Sequence, residues 1–287
     1  MGQPRGRMIR FVVAAIAVLV LTAAYLAMLS RFRVSELPGE QHFGAVDPIA
    51  PAGEIYLEPI SIDAPNDALQ LRAYLMPSVS ASKNAHAASD RDLTLLVTHD
   101  KTVEEVKLAA SDRMASSTFE VDLNEGSVSN YPLDSYLARF GVELLDGESS
   151  LRLPARVTVW EGVLGYSLHT TSRLGDDPNE VELTIAIARG GAFALFAICA
   201  YAAMIVLACC ALTVGVLTFA GVRQAEATLI GALAAIAFAL PVLRNAMPGS
   251  PPLGVQADMW IFLWTELAVV LALGFVVLGW ARPSPGQ

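Results

Sequence analysis

The stretch that decides the fold is 181–219, VELTIAIARGGAFALFAICAYAAMIVLACCALTVGVLTF. At its start, apolar residues alternate with other residues, which is typical of a half-buried strand. After Arg189 and two glycines comes an uncharged apolar run that is long enough to span a bilayer. The sequence therefore predicts a β domain that continues almost directly into a membrane helix. Two interpretations of the short connection stay open, a simple tether and a mechanical coupling of the domain to the helices.

Three further stretches meet the same length criterion, so we expect four transmembrane helices. The chain is 54% hydrophobic and only 16% charged, against roughly 25% charged residues in soluble domains. The first apolar stretch is longer than the core of a signal peptide, roughly 7–15 residues. This favours a retained anchor, with cleavage after its Ala-rich end as the alternative. The spans lie at roughly 11–29, 192–219, 227–243 and 259–280.

Charge separates the chain into two regions of opposite sign. Residues 34–188 hold 25 Asp and Glu against 10 Lys and Arg, a net charge of −15, and the remainder carries +6 of the total −9. This acidic balance excludes a nucleic-acid binder, which needs a basic face. Positive residues favour the cytoplasmic side of a membrane, and Arg5, Arg7 and Arg10 precede the first helix. We therefore expect a multi-pass protein of the plasma (inner) membrane with both termini in the cytoplasm and residues 34–188 outside it.

Residues 34–188 predict one antiparallel β-sandwich-like domain. Up to Gly53 the segment is rich in Pro and Gly and is interpreted as a linker. The small polar residues of 78–92 predict a mobile loop. Elsewhere apolar alternation recurs in seven or eight short stretches, the longest from Tyr136 to Leu144, separated by Gly, Pro, Asn and Asp. That pattern is typical of an antiparallel sandwich.

The sequence contains no recognisable catalytic or metal-binding pattern. The phosphate-loop, zinc-protease, nucleophile-elbow and paired-cysteine motifs are missing, and the four histidines lack metal-like spacing. Cys199, Cys209 and Cys210 all fall within the second predicted helix, so no disulfide holds the acidic domain together. Enzyme activity is therefore unsupported, and no catalytic residue, cofactor or metal is assigned.

The run Tyr131-Pro132-Leu133-Asp134 is the most distinctive local motif of the acidic domain. Proline fixes φ, and the Asp134 carboxylate is suited to bond the amides of a tight turn. One interpretation is a rigid turn that opens the longest strand. The other is a contact with the membrane helices, because the turn resembles an aromatic-Pro-x-Asp turn at the membrane end of pentameric ligand-gated channels. That similarity covers the turn alone, so channel activity is not carried over.

Glu266 is the one acidic residue inside a predicted span, where a buried acid costs roughly 2.5–3.5 kcal/mol on insertion scales. We expect it to be neutral, to pair with Arg244 as a tie between helices, or to serve a proton- or ligand-linked role. Residues 244–258 are too rich in proline for a helix and predict an ordered outer hairpin beneath the acidic domain. The candidates for functional or structural coupling are Glu266, Arg244, Asp258, Tyr131, Pro132 and Asp134.

The third predicted helix carries small residues at four-residue spacing. Such a stripe lets helix backbones approach closely, so it predicts packing within the chain or between copies. Its members are Ala227, Gly231, Ala235 and Ala239.

The layout and two of these segments resemble a known family. The 131–134 turn and the run 243–254, LRNAMPGSPPLG, followed by Trp264 and Glu266, are similar to the domain-of-unknown-function family 4436 of integral membrane proteins. The Arg-Asn-x-x-Pro-Gly-x-Pro-Pro part is the most specific. The resemblance covers nearly the whole chain and implies one N-terminal helix, a β-rich outer domain and three C-terminal helices. It implies no reaction, substrate or cofactor.

The sequence thus divides into a basic tail with the first helix (1–33), an acidic extracytoplasmic β domain (34–188) and a three-helix domain (189–287) with the hairpin at 244–258. Its Ala-rich composition and lack of N-x-[ST] sequons favour a bacterial envelope protein. The leading expectation is a non-enzymatic module that displays its β domain to an envelope partner. The alternative is a transporter or ion-channel-like component that uses Glu266 and the hairpin. Expected partners are the lipid bilayer and either an envelope protein or a second copy of the chain, with no nucleic acid.

Overall fold

A computed structural model describes the chain. The residues described are 12, 16, 18–20, 22–27, 29–30, 39–44, 53–76, 92–99, 102–108, 116–174 and 179–282. Most of the predicted loop 78–92 lies outside them. Within these ranges the chain forms a β domain (39–189), a helical domain (191–282) and a shorter apolar helix, α1 (Val18–Ala27).

The β domain contains eleven strands within the described residues. They are β1 (Gly39–Gly44), β2 (Gly53–Asp63), β3 (Ala68–Met76), β4 (Leu93–His99), β5 (Thr102–Leu108), β6 (Ser116–Gly126), β7 (Ser135–Asp146), β8 (Arg152–Leu153), β9 (Ala155–Glu161), β10 (Tyr166–Leu174) and β11 (Val181–Arg189). The main path through the sheet is β1-β9-β2-β3-β6-β7-β11-β10, and β4 and β8 also pair with β7.

The sheet is mixed, which corrects the expectation of a purely antiparallel sandwich. β2 pairs with β9 in parallel, from Gly53 opposite Ala155 to Leu57 opposite Val159. β1 pairs with β9 on its other side, so part of the predicted linker is a strand. Such pairings join segments about a hundred residues apart, and local alternation carries no information about them.

β6 connects the two halves of the sheet. Its first part pairs with β3, and its last residues pair with β7 after a register shift between Leu123 and Glu125. At the shift, Asn124 Oδ1 accepts a hydrogen bond from the backbone N–H of Arg139 at 2.7 Å. A bulge of this kind bends a strand and lets it turn a corner between packed layers.

Strand alternation produces the core of the β domain. Inward residues are almost inaccessible to solvent while their neighbours are exposed or half-buried, as in β6 and β11. The core includes Ile55, Leu57, Leu69, Leu71, Leu95, Val121, Phe140, Leu144, Leu183, Ile185 and Ile187.

Three helices are long and apolar enough to cross a membrane. They are α2 (Gly191–Phe219), α3 (Ala227–Asn245) and α4 (Leu263–Trp280), which is preceded by a π-helical turn at Asp258–Phe262. Close backbone approaches of Gly215 to Ala272 and of Gly279 to Thr218 show that α2 and α4 run parallel.

The small-residue stripe on α3 does not pack within the described helical domain. Ala227, Gly231, Ala235 and Ala239 are all exposed, and a Cβ added at Gly231 would meet nothing within 4 Å. The buried residues of α3 are instead Leu233, Leu240 and Arg244. Of the two packing interpretations, packing between copies stays a prediction.

Candidate functional site: the junction of the β domain and the helices

The 131–134 turn brings the β domain into contact with the helical domain. A short 3₁₀ turn at Val128–Asn130 precedes it, and the peptide bond between Tyr131 and Pro132 is cis. Tyr131 is only 2% exposed and belongs to the hydrophobic core of the helices, with Ala197 of α2 and Met247 of the hairpin. The Tyr131 hydroxyl donates to the Pro248 carbonyl oxygen at 3.1 Å. The β domain therefore inserts one aromatic ring into the core of the other domain.

Asp134 forms a buried two-point ion pair with Arg189 at the end of β11. Arg189 Nε donates to Asp134 Oδ1 at 2.7 Å, and Nη2 donates to Oδ2 at 2.8 Å. The Arg189 backbone N–H also donates to the Asp134 carbonyl oxygen, at 3.2 Å. Both side chains are almost wholly inaccessible to solvent. Bidentate geometry is what makes such a pair directional as well as attractive.

Three tyrosines complete this arrangement. The Tyr136 hydroxyl donates to Asp134 Oδ2 at 2.9 Å, and the Tyr166 hydroxyl accepts from Arg189 Nη2 at 3.2 Å. The guanidinium lies over the rings of Tyr131 and Tyr166, 4.8 and 4.9 Å from their centroids, within the range of a cation–π contact. We call Tyr131, Asp134, Tyr136, Tyr166 and Arg189 the junction cluster.

The hairpin backbone approaches the guanidinium of the cluster from the side of the helical domain. Gly249 has φ +76°, and a Cβ there would collide with Arg189 Nη1. Only glycine combines this backbone conformation with so close an approach. The hairpin, the turn at 131–134 and the first turns of α2 thus meet around one cation.

Burial raises the pKa of the three tyrosines in the junction cluster. It raises the pKa of Tyr131 to about 12, with Arg189 opposing the rise and Asp134 adding to it. Burial also raises the pKa of Tyr136, reinforced by its hydrogen bond to Asp134, and raises that of Tyr166. For Arg189, burial lowers the pKa, but Asp134 and Tyr166 outweigh it and the net shift is upward. Since the pKa values of the three tyrosines and of Arg189 are all raised above values that already lie far above neutral, none of these groups titrates near neutral pH. The arrangement therefore suits a mechanical connection better than acid–base chemistry.

A second buried ion pair closes the hairpin itself. Arg244 Nε donates to Asp258 Oδ1 at 2.9 Å, and a second contact joins Nη2 to Oδ2. The remaining donors of Arg244 bond the Pro251 and Pro252 carbonyl oxygens at 2.9 and 2.7 Å. Tyr201 donates to Asp258 Oδ1 at 3.1 Å. We call Tyr201, Arg244 and Asp258, with these two carbonyl groups, the hairpin network.

The hairpin network corrects the expected partner of Arg244. Its partner is Asp258, the first residue of the π-helical turn, and not Glu266, which lies eight residues later in α4. Tyr201 lies ten residues after the start of α2. At a rise of 1.5 Å per residue, the N-terminal part of α2 therefore extends roughly 15 Å from the hairpin network towards the β domain. That extension, together with the hairpin, reaches the turn at 131–134.

Comparisons with known protein families divide the chain close to this junction. Residues 46–185 match the family model described as Domain of unknown function (DUF4436). The β domain is therefore similar to this family over those residues. Residues 189–283 match a second model, Domain of unknown function (DUF8686). No match is found among curated proteins.

The match confirms the resemblance to family 4436 and also restricts it. The resemblance was expected to cover nearly the whole chain, but the DUF4436 match covers only residues 46–185 of the β domain. The proline-rich run at 243–254, on which the resemblance largely rested, lies in the DUF8686 match.

The junction cluster joins the two family units. Asp134 lies inside the DUF4436 match, and Arg189 is the first residue of the DUF8686 match. The ion pair between them therefore crosses the boundary, as does the bond from Tyr131 to Pro248.

The structure thus brings together five of the six candidates named from sequence. Tyr131, Pro132 and Asp134 lie at the junction, and Arg244 and Asp258 lie in the hairpin beneath it. Glu266 is separate, eight residues beyond Asp258 in α4. Sequence reasoning missed Arg189, Tyr166 and Tyr201 as partners. The available signal was Arg189, a lone charge between a predicted strand and an apolar helix, to which the sequence analysis assigned no partner.

The β domain also carries a cleft next to the junction. It has a volume of about 530 Å³ and is lined by the ends of four paired strands, β6, β7, β11 and β10. Its outward residues include Glu125, Leu137, Ser167, His169 and Ala186. Among the described residues no group of three His, Cys, Asp or Glu is placed to hold a metal.

Proposed function

We propose that the chain is an integral membrane protein whose DUF4436 domain lies outside the cytoplasm and binds a component of the envelope, while its helices hold that domain in one orientation. The observation that carries the proposal is Tyr131, a β-domain side chain buried in the helical core. A domain on a loose tether needs no such contact. A binding surface that must face a partner at a fixed height above the membrane does.

The charges support this orientation. The acidic residues concentrate in 34–188, and a cytoplasmic N-terminus with a basic cluster agrees with the distribution of positive residues around membrane spans. A surface with a net charge of −15 favours cationic partners or partners bridged by divalent ions. An envelope location satisfies both conditions.

The cleft beside the junction is the surface we assign to the partner. It lies on the strands that end next to α2, so the junction fixes its distance from the membrane. Leu137 and Ala186 give it an apolar floor, and His169 and Glu125 lie at its exposed edge. Such a mixture of apolar and polar lining is usual for protein interfaces.

Site-specific photo-crosslinking in cells tests the proposal. A photoreactive residue replaces His169 in the cleft and, as a matched control, the exposed Gln70 on β3. We expect one envelope protein to be captured from position 169 and not from position 70, and the same protein to co-purify with the unmodified full chain. Capture of the chain by itself alone, or equal capture from both positions, would contradict the proposal.

A transporter or ion-channel-like component is the second candidate. The observation that favours it is the carboxylate of Glu266 inside the helical domain, where acids are rare and commonly functional. Purified protein in sealed vesicles should then carry ions or protons under a change of pH, voltage or ligand. Flux equal to that of empty vesicles under all three conditions removes this candidate.

A further inference from the structure

Glu266 is an acidic residue of α4 that belongs neither to the junction cluster nor to the hairpin network. It lies in the first turn of α4 and is partly buried. Its Oε2 is fully buried and has no hydrogen-bond partner within the part of the chain that the structure describes. An ionised carboxylate in that position requires a cation or several donors.

The described helical domain has three cations, Arg223, Arg244 and Arg282, and none of them is placed to neutralise it. Arg223 lies between α2 and α3, at the end of the bundle opposite the hairpin. Arg244, the cation of α3, is bonded to Asp258 and to two proline carbonyl oxygens. α2 contains no charged residue, and its tyrosine, Tyr201, donates to Asp258. Glu226 and Arg282 lie at the opposite end of the bundle, where Arg282 bonds the end of α2. The three cysteines of α2 are on exposed faces.

The neighbouring helix offers an acceptor instead. Pro241 lies inside α3 and has no N–H, so the carbonyl oxygen of Ala237 lacks its usual helical donor. Ala237 is seven residues before Arg244, and Glu266 is eight residues after Asp258. Since the Arg244–Asp258 pair holds α3 and α4 together at that level, both groups lie roughly 10–12 Å from it towards the other end of the bundle.

We propose that Glu266 is a proton-binding site: its carboxyl group is protonated in the native protein, and its O–H donates to the Ala237 carbonyl oxygen that Pro241 leaves without a donor. A neutral carboxyl with this bond satisfies both buried polar groups at once. The ligand of the site is a single proton. The inference is independent of what the β domain binds.

Infrared difference spectroscopy and carbodiimide labelling test the proposal on the purified full chain in detergent. A hydrophobic carbodiimide, dicyclohexylcarbodiimide, reacts with protonated carboxyl groups in apolar surroundings, and peptide mass analysis locates the adduct. The variants are Glu266→Gln, whose neutral amide donates the same bond and should fold, and Pro241→Ala, which restores the helical donor to Ala237. Glu226→Gln, an exposed acid at the start of α3, is the matched control.

At neutral pH we expect the adduct on Glu266 and none on the ion-paired Asp258, with at least a tenfold loss of labelling at strongly alkaline pH. The infrared band of a protonated carboxyl should be present in the wild type and in Glu226→Gln and absent in Glu266→Gln. In Pro241→Ala the band should shift to that of a free carboxyl. An unlabelled Glu266 in folded protein, or the same band in Glu266→Gln, overturns the proton site. An unshifted band in Pro241→Ala overturns Ala237 as the acceptor.

Discussion

Replacing Asp134 with Asn should weaken the connection between the two domains more than any surface change of similar size. The substitution keeps the shape of the side chain but removes its charge, and it leaves the guanidinium of Arg189 buried without a counter-ion. Breaking a buried pair in this way costs about 3–5 kcal/mol. At about 2–4 °C per kcal/mol for a domain of this size, the melting temperature of the β domain should fall by about 6–20 °C.

The assay is thermal unfolding of the purified full chain, followed by circular dichroism and by the fluorescence of Trp160 in β9, in a background in which Trp260, Trp264 and Trp280 are replaced by Phe. Glu125→Gln is the matched control, because Arg139 and Glu125 form an ion pair of the same length, 2.7 Å, with more than half of each side chain exposed. Exposed pairs contribute about 0.2–1 kcal/mol, so the control should shift the melting temperature by less than about 4 °C. Equal shifts for both variants would refute the reasoning that burial makes the Asp134–Arg189 pair decisive.

Three further predictions concern contacts at and below the junction. Gly249→Ala should lower the free energy of unfolding by well over the roughly 1–2 kcal/mol that a left-handed alanine costs by itself. Gly221→Ala measures that conformational cost alone, because a Cβ there meets nothing within 4 Å. Equal losses in thermal stability for the two variants would contradict the collision with the guanidinium. Because the pKa of Tyr131 is raised to about 12 from 10.0, its contribution to stability should be intact below pH 10 and lost as pH rises through about 12. Tyr131→Phe should lose about 1 kcal/mol at neutral pH and be less sensitive to alkali, and an unchanged alkaline profile would count against the assignment. Gly215→Ala should destabilise the helices by about 1–3 kcal/mol through overpacking, whereas Gly231→Ala should leave their stability unchanged. The measurement is unfolding in detergent. A larger loss of stability for Gly231→Ala than for Gly215→Ala would show that the small-residue stripe of α3, and not Gly215 of α2, packs within the chain.

Local sequence predicted the parts of this fold that depend on local physics. The alternation in 181–187 and 136–144 predicted β11 and β7 because a strand exposes one face and buries the other. The three long apolar runs predicted α2, α3 and α4 because helix length and composition are properties of the segment itself. The parallel pair of β2 with β9 and the strand β1 could not be predicted, since both depend on a partner far away in the sequence.

The sequence predicted only part of the candidate site. The Tyr131–Asp134 turn was recognised by its own chemistry, but its partner Arg189 is 55 residues away in the chain. Of the three interpretations of Glu266, the one that paired it with Arg244 was wrong, because helical spacing alone does not locate the hairpin backbone. In the structure the hairpin folds back so that its carbonyl groups and Asp258 together accept four hydrogen bonds from the guanidinium. The exposed stripe on α3 shows the converse, since small residues permit close packing without requiring it.

The central claim is that the β domain is held in one orientation on the helices, and a distance measurement between the two domains tests it most directly. Spin labels are placed at His169 in the cleft and at the exposed Arg223 between α2 and α3, with the three native cysteines replaced by alanine. Pulsed electron paramagnetic resonance of the full chain should give a single narrow distance distribution in the wild-type background and a broad one after Asp134→Asn. A broad distribution in the wild-type background would contradict the account.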